Sequence, residues 1–131
     1  MIKTGILGAS SPVAGEVIRI LTHHPDVEIL AAYEPSLAGR KVTSLHHGLI
    51  GECDLTFCET LPMARLDCVI ACTPGDAVDK IARHPELYPN LRFIDLTGQY
   101  AGVPAAMLSM GLSEVNRKEL VRGAKRAYIP S

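Results

Sequence analysis

The segment GILGASSPVAGEV near the start of the chain has the residue pattern of a phosphate-binding turn. In such turns, backbone N–H groups and the positive end of the following helix hold an anion. Gly8 supplies the tight turn, and Ala14 supplies a small residue for helix packing. Ser11 stands where the backbone must approach the phosphate, and Pro12 removes an N–H group. The sequence therefore predicts an impaired phosphate site, in which the Ser11 hydroxyl could still donate to a phosphate oxygen.

Four cysteines raise the question of a metal site or a disulfide. Cys68 and Cys72 lie in the apolar run DCVIACT, where four residues of strand separate them by about 13 Å on one face. Cys53 and Cys58 are five residues apart, so in an extended chain they point to opposite faces. We expect four free thiols in a reducing compartment and no metal site.

Length, charge and hydropathy argue against nucleic-acid-binding, membrane-spanning and secreted proteins. The 131 residues suffice for one domain with its own core, and a net charge of −1 gives no electrostatic reason to bind nucleic acid or an anionic membrane. No apolar run reaches the roughly 20 residues that span a bilayer, and the first residues do not resemble a signal peptide. We expect a soluble, cytoplasmic domain.

Apolar runs alternate along the chain with amphipathic, helix-like segments. Strands are predicted over residues 2–7, 27–33, 67–72, 91–96 and 127–129, with a mixed segment over 42–49 and a short extended piece over 54–57. Helices are predicted over residues 13–21, 77–83 and 113–124, with Ser11 and Ser113 as N-caps and Pro12 in the first helical position. This alternation predicts a doubly wound α/β fold, with a mainly parallel sheet and the first strand central.

Ligands of such sheets bind at the carboxyl ends of the strands. The candidate loops are residues 8–11, 34–41, 73–76 and 97–100, and all are rich in Gly, Ser, Thr, Pro or Asp. Loops have this composition in general, so composition alone does not indicate a ligand site. What favours one is that all four loops follow the carboxyl ends of predicted strands.

Three segments carry a more specific resemblance: HHPDVEI, HHGLIGECDL and GLSEVNRKEL. With them, the chain resembles the amino-terminal, nucleotide-binding half of N-acetyl-gamma-glutamyl-phosphate reductases, over essentially all 131 residues. The related aspartate-semialdehyde dehydrogenases share the glycine turn but not these segments. The resemblance implies a Rossmann-like single domain over residues 1–131, without the family's catalytic and dimerisation domain.

The resemblance also implies a chemistry. The family uses NADPH to reduce N-acetylglutamyl phosphate to a semialdehyde in arginine biosynthesis. A cysteine thiolate forms a thioester, hydride releases the aldehyde, and a histidine of the second domain transfers protons. The positions that match the family's cofactor-binding residues are Gly8, Ser10, Ser11 and Ala14 in the turn, Ser36, Ala38, Gly39 and Arg40 near the adenosine 2′ position, and Thr73, Pro74 and Gly75 in the loop after the strand over 67–72.

The sequence departs from the family pattern at several positions. Ser11 and Pro12 replace a glycine and an aromatic residue, the loop TPGD lacks a His-Gly pair, and Ala101 replaces an arginine. Ser131 stands at the position of the nucleophilic cysteine, or one residue before it in the other alignment. We expect no catalytic residue in this chain, no turnover by it alone, and weak binding of NADP.

Glu34 bears on the choice of cofactor, because a carboxylate there accepts hydrogen bonds from the 2′-hydroxyl of NAD and repels a 2′-phosphate. Ser36, Arg40 and Lys41 favour that phosphate, and we expect NADP on their account, although they are also ordinary solvated loop residues. On this interpretation the chain is part of a reductase. Its expected partner is a carboxyl-terminal domain that this sequence lacks, or further copies of the chain in a homo-oligomer. The alternatives are a diverged, non-catalytic binding or regulatory module, and a domain that binds nothing tightly.

Overall fold

The computed structural model describes residues 1–98 and 126–128, which form a parallel sheet with helices between its strands. The strands are β1 (Ile2–Leu7), β2 (Val27–Tyr33), β3 (Phe57–Cys58), β4 (Cys68–Ala71), β5 (Arg92–Asp95) and β6 (Arg126–Tyr128). The helices are α1 (Pro12–Thr22) and α2 (Asp76–Arg83). Short 3₁₀ turns lie at Pro35–Leu37, Val42–Ser44, His47–Leu49, Met63–Arg65 and Pro85–Leu87. The strand order is β3-β2-β1-β4-β5-β6, and every neighbouring pair is parallel.

The sheet is doubly wound, as the alternating pattern predicts. Successive residues of a strand point to opposite faces. Cys68 and Ile70 of β4 therefore face one core with α1, whereas Val69 and Ala71 face a second core with α2. The buried residues of α1 are Ala14, Val17, Ile18 and Leu21, and those of α2 are Val78, Ile81 and Ala82. Burying each large apolar side chain stabilises the fold by about 1.5–3 kcal/mol, so both helices are fixed on the sheet by their apolar faces.

The central position of β1 brings three loops to one edge. Leu7, the last residue of β1, is in register with Tyr33 of β2 and with Ala71 of β4. Because the strands are parallel and end level, the segments after Leu7, Tyr33 and Ala71 leave the sheet side by side. These are three of the four loops predicted to approach a ligand.

The predicted bounds of most elements agree with the structure. β1 and β2 have the predicted limits, and α1, α2, β4, β5 and β6 differ by at most one residue at either end. The extended piece predicted over 54–57 contributes only Phe57 to β3, and the mixed segment 42–49 forms two 3₁₀ turns. The helix predicted over 113–124, with its cap Ser113, lies outside the described residues, as does half of the loop 97–100. None of the helices in the described ranges is long and apolar enough to cross a membrane.

Candidate functional site

The turn between β1 and α1 is fixed by two neighbouring strands. Gly8 has a φ of +75°, and a Cβ atom added there would lie 2.1 Å from Oγ1 of Thr73. Only glycine fits this position, since the conformation is strained for other residues and the space is already filled. The N–H groups of Gly8 and Ala9 both donate to the carbonyl of Tyr33 at 3.2 Å. The turn is thus held against the ends of β2 and β4.

Most N–H groups of the turn are engaged within the protein. The N–H of Ser11 donates to the Gly8 carbonyl at 3.1 Å, and the N–H of Ala14 donates to the Ser11 hydroxyl oxygen at 3.1 Å. Pro12 has no N–H. The N–H of Val13 has no acceptor among the hydrogen bonds of the described residues. Val13 therefore offers a free donor to an anion at the start of α1.

Ser11 is the N-cap of α1, as the sequence predicts. Its φ of −70° and ψ of 156° are ordinary extended values, so this position does not require glycine. Its hydroxyl oxygen already accepts a hydrogen bond, but the hydroxyl proton is still available for donation. The serine in place of the family's glycine is therefore compatible with the turn.

The carboxylate of Glu34 is hydrogen-bonded to the turn. Oε1 of Glu34, which directly follows β2, accepts hydrogen bonds from the N–H of Ser10 at 3.3 Å and from its hydroxyl at 2.5 Å. These two donors of Ser10 therefore hold a negatively charged group, which is the chemistry that a phosphate also requires. Any phosphate that uses the same N–H competes with Glu34.

A cavity of about 280 Å³ opens between the turn and the loops after β2 and β4. It is lined by Leu7, Gly8, Tyr33, Glu34, Pro35, Thr73, Pro74, Gly75, Asp76, Ala77 and Val78. Four of the positions expected to bind the cofactor, Gly8, Thr73, Pro74 and Gly75, are thus brought together. The carboxylates of Glu34 and Asp76 make this cavity acidic.

Other expected cofactor positions lie outside this cavity. Ser36 and Arg40 are exposed on the loop after β2, as are Ala38 and Gly39. The backbone around Arg40 is nevertheless fixed, because its carbonyl accepts from the N–H of Phe57 at 2.8 Å. Ala14 is fully buried, so its side chain packs α1 on the sheet and does not face a ligand.

Burial makes three of the four cysteines less acidic than free thiols. Cys68 and Cys72 are buried in the core, and burial raises the pKa of each thiol to about 12. Burial also raises the pKa of Cys58, which like Cys53 is half-buried and free. Desolvation favours the protonated form of Cys58, Cys68 and Cys72, and a protonated thiol is a poor nucleophile. Within residues 1–98 and 126–128, no group of three or more His, Cys, Asp or Glu residues could hold a metal ion.

Three features of the site were not predicted from the sequence, and the first is the contact of Glu34 with Ser10. Nε2 of His46 donates to the carbonyl of Ala9 at 2.8 Å, so the segment after β2 also supports the turn. The free N–H of Val13 was not predicted either, although the assignment of Ser11 as N-cap places Val13 among the helix residues without an internal acceptor. For His46, the only signal in the sequence is its place in HHGLIGECDL.

Comparisons with known proteins agree with this architecture. The N-acetyl-gamma-glutamyl-phosphate reductase of Bacteroides fragilis (strain YCH46) is 40% identical over 119 residues, which are 90% of this chain and 37% of that protein. The Parabacteroides distasonis protein of the same name is 38% identical over 121 residues, or 92% of this chain and 38% of that protein. The chain therefore spans well under half the length of these relatives.

The fold is shared with solved structures. Aspartate semialdehyde dehydrogenase with NADP from Candida albicans superposes with a TM-score of 0.64 at 21% identity, over 84% of this chain and 33% of that chain. Residues 3–122 match the family described as semialdehyde dehydrogenase, NAD binding domain. The family description gives a nicotinamide dinucleotide as the ligand class of this domain. Since the match takes in the turn, both helices and strands β2 to β5, this chain belongs to the NAD-binding domain family of semialdehyde dehydrogenases.

Proposed function

We propose that this chain is the dinucleotide-binding part of an oxidoreductase that converts N-acetylglutamyl phosphate to N-acetylglutamate semialdehyde in arginine biosynthesis. The names of its relatives support this reaction, and they come from proteins more than twice as long as the matched region. In this proposal, a carboxyl-terminal domain supplies the catalytic cysteine and the dimer contacts, the domain of residues 1–131 does not turn over alone, and the protein works in the cytoplasm.

The observation that carries the proposal is the turn packed against the loop after β4. Gly8 leaves no Cβ atom between the turn and Thr73, and the cavity opens beside this contact. The N–H groups of Val13 and Ser10 would hold the pyrophosphate, helped by the positive end of α1. When bound, the dinucleotide supplies the hydride. The chain's own contribution is to hold and orient it.

We propose NADP as the dinucleotide, bound weakly. Arg40 and Lys41 lie exposed on the loop after β2, and they form no ion pair among the salt bridges of the described residues. They are therefore free to meet a 2′-phosphate, with Ser36 as a further donor. Weak binding is expected because Pro12 contributes no N–H and the N–H of Ser10 is engaged by Glu34.

One observation favours NAD instead. Glu34 lines the cavity at the end of β2, and its carboxylate is fixed by Ser10. A 2′-phosphate nearby is repelled by that charge, whereas a ribose hydroxyl donates to it. We therefore expect Glu34→Gln to tighten NADPH binding by about threefold or more and to leave NADH binding unchanged or weaker. Glu28→Gln removes the same charge from an exposed position near the amino-terminal end of β2 and serves as the matched control.

Calorimetric titration of the chain with NADPH and NADH tests the cofactor proposal. Tighter binding of NADPH by the wild type supports NADP. Equal affinities, or tighter binding of NADH, would show that the NADP assignment is wrong.

Growth tests the proposed reaction. The whole gene should restore growth without arginine to a strain that lacks N-acetyl-gamma-glutamyl-phosphate reductase. The second candidate is a non-catalytic binding or regulatory module, and the proline at position 12, which removes an N–H from the turn, favours it. Failure to grow, together with NADPH binding by the expressed protein, would support this second candidate. Absence of both would leave a folded domain without nucleotide function.

A further inference from the structure

The peptide unit between Ala9 and Ser10 is held at both of its polar ends by side chains from outside the turn. Its C=O accepts a hydrogen bond from Nε2 of His46 at 2.8 Å, and its N–H donates to Glu34 at 3.3 Å. Because the peptide is planar, its C=O and N–H point in opposite directions and cannot be turned independently. Whatever fixes the carbonyl of Ala9 therefore also fixes the direction in which the N–H of Ser10 points.

His46 is itself firmly placed. Its backbone N–H donates to the carbonyl of Val42 at 2.9 Å, and its ring lies 6.5 Å from the ring of Phe57, centroid to centroid. On its other side lies α1, where a Cβ atom added at Gly15 would come within 2.6 Å of Nδ1. Gly15 thus makes room for the imidazole. The ring is confined between α1 and the β3 region, with Nε2 directed at the turn.

Among the hydrogen bonds of the described residues, the carbonyl of Ala9 accepts only the one from His46. Ala9 is fully buried, so its carbonyl would lose a partner that water does not readily replace if His46 were removed. A donor at Nε2 means that the neutral ring carries its proton there and leaves Nδ1 bare. Without this donor, only Glu34 holds the peptide from outside the turn, so the N–H of Ser10 is less firmly directed at the anion site.

We propose that His46 is a positioning residue for the phosphate-binding turn. By holding the carbonyl of Ala9, it keeps the N–H of Ser10 directed at the place where Glu34 now presents a carboxylate and where a dinucleotide would present a phosphate. This proposal rests on the proposed binding of a dinucleotide by the domain.

Titrations of three variants test the role in binding. The variants are His46→Ala, His46→Gln and, as a control, His47→Ala, whose neighbouring imidazole is exposed and contacts the carbonyl of Ser44 within its own segment. We expect His46→Ala to weaken NADPH binding about fivefold, His46→Gln to recover it to within about twofold, and His47→Ala to change nothing. Adenosine 2′-monophosphate has no pyrophosphate, so its affinity should be the same for all variants. Unchanged NADPH binding by His46→Ala, or an equal loss for both ligands, would overturn the proposal.

A second measurement does not depend on any nucleotide. In ¹H–¹⁵N spectra of the free protein, the Ser10 amide signal should shift in His46→Ala and stay in place in His47→Ala. Gly15→Ala should shift the same signal, because its added Cβ atom displaces the ring, and should add nothing in the His46→Ala background. A Ser10 signal unmoved by His46→Ala refutes the positioning role. A shifted signal in a protein that binds no dinucleotide would keep that role and refute the proposed function.

Discussion

Replacing Pro12 with alanine should tighten NADPH binding about tenfold. Pro12 is the first residue of α1, and the next residue, Val13, has an N–H without an acceptor in the described part of the chain. The substitution returns a second N–H to the same helix end, where the donors face outward from the turn. A pyrophosphate held by Val13 then gains one more hydrogen bond.

The magnitude follows from the charge of the acceptor and the exposure of the site. A hydrogen bond to a charged group contributes about 1.5–3 kcal/mol, and about 1.4 kcal/mol corresponds to a tenfold change in affinity. Pro12 and Val13 are both exposed, so water competes for the phosphate and the lower end of this range applies. The same substitution removes the restriction that proline places on the unfolded chain, at a cost of about 0.4–1 kcal/mol in stability. Affinity and stability should therefore change in opposite directions.

Ser11→Gly is the matched control, because it changes the adjacent family position without adding an N–H. The φ of Ser11 is already ordinary, so glycine relieves no strain, and the loss of the cap to Ala14 costs only a few tenths of a kcal/mol. Calorimetry should show no tightening of NADPH binding for Ser11→Gly, because this variant gains no N–H and loses the Ser11 hydroxyl. The double variant Ser11→Gly, Pro12→Tyr, which restores the family pattern, should bind at least about tenfold more tightly than the wild type. An unchanged dissociation constant in Pro12→Ala and in the double variant would mean that the turn only joins β1 to α1 and that any nucleotide site lies elsewhere.

Two further predictions concern stability. Gly8→Ala should lower the free energy of unfolding by about 2–4 kcal/mol in urea titrations, because the added Cβ atom meets Thr73 at a positive φ, whereas Gly39→Ala, with a similar φ and open space around it, should cost about 1–2 kcal/mol. Equal losses would show that the contact with Thr73 contributes nothing. The stability of the wild type should fall as the pH rises from 9 towards 12, by about 1.4 kcal/mol per pH unit for each buried thiol, since the pKa values of Cys68 and Cys72 are raised and the unfolded chain loses these protons first. Cys68→Ala should flatten this slope, and an unaltered slope would contradict the assignment.

The fold was predictable where local patterns and core packing agree. Residues 2–7 and 27–33 are apolar runs bounded by polar turns, and Ser11 with Pro12 marks the start of α1, so these limits needed no tertiary information. The 3₁₀ turns and β3 were less accessible. Phe57 pairs with β2, and its N–H and C=O also bind Arg40 and Gly39 in the loop after β2. All of these contacts join positions far apart in sequence.

In the candidate site, too, the features that depend on contacts distant in sequence could not be predicted. The positions of Gly8, Thr73 and Gly75 could be predicted, because the topology of a parallel sheet brings the loops after β1 and β4 to the same edge. The direction of the Glu34 carboxylate could not be inferred, since its partner Ser10 lies 24 residues away and a solvated orientation was equally compatible with the sequence. The support from His46 is hidden for the same reason, because it depends on a packed ring 37 residues from the turn.

One feature of the sequence and one of the structure support the proposed weak binding at the turn. The sequence shows that Pro12 withholds one N–H, whereas the structure shows that the N–H of Ser10 is present and correctly held but engaged by Glu34. The N–H that Pro12 lacks is unavailable to any ligand. The N–H of Ser10 is available to a ligand that carries enough negative charge to displace Glu34. A phosphate must therefore displace Glu34 to use Ser10, and it does so against a carboxylate that remains in the cavity and repels it. Changes at Pro12 and at Glu34 act on one anion, so their effects on affinity should be coupled and not simply additive.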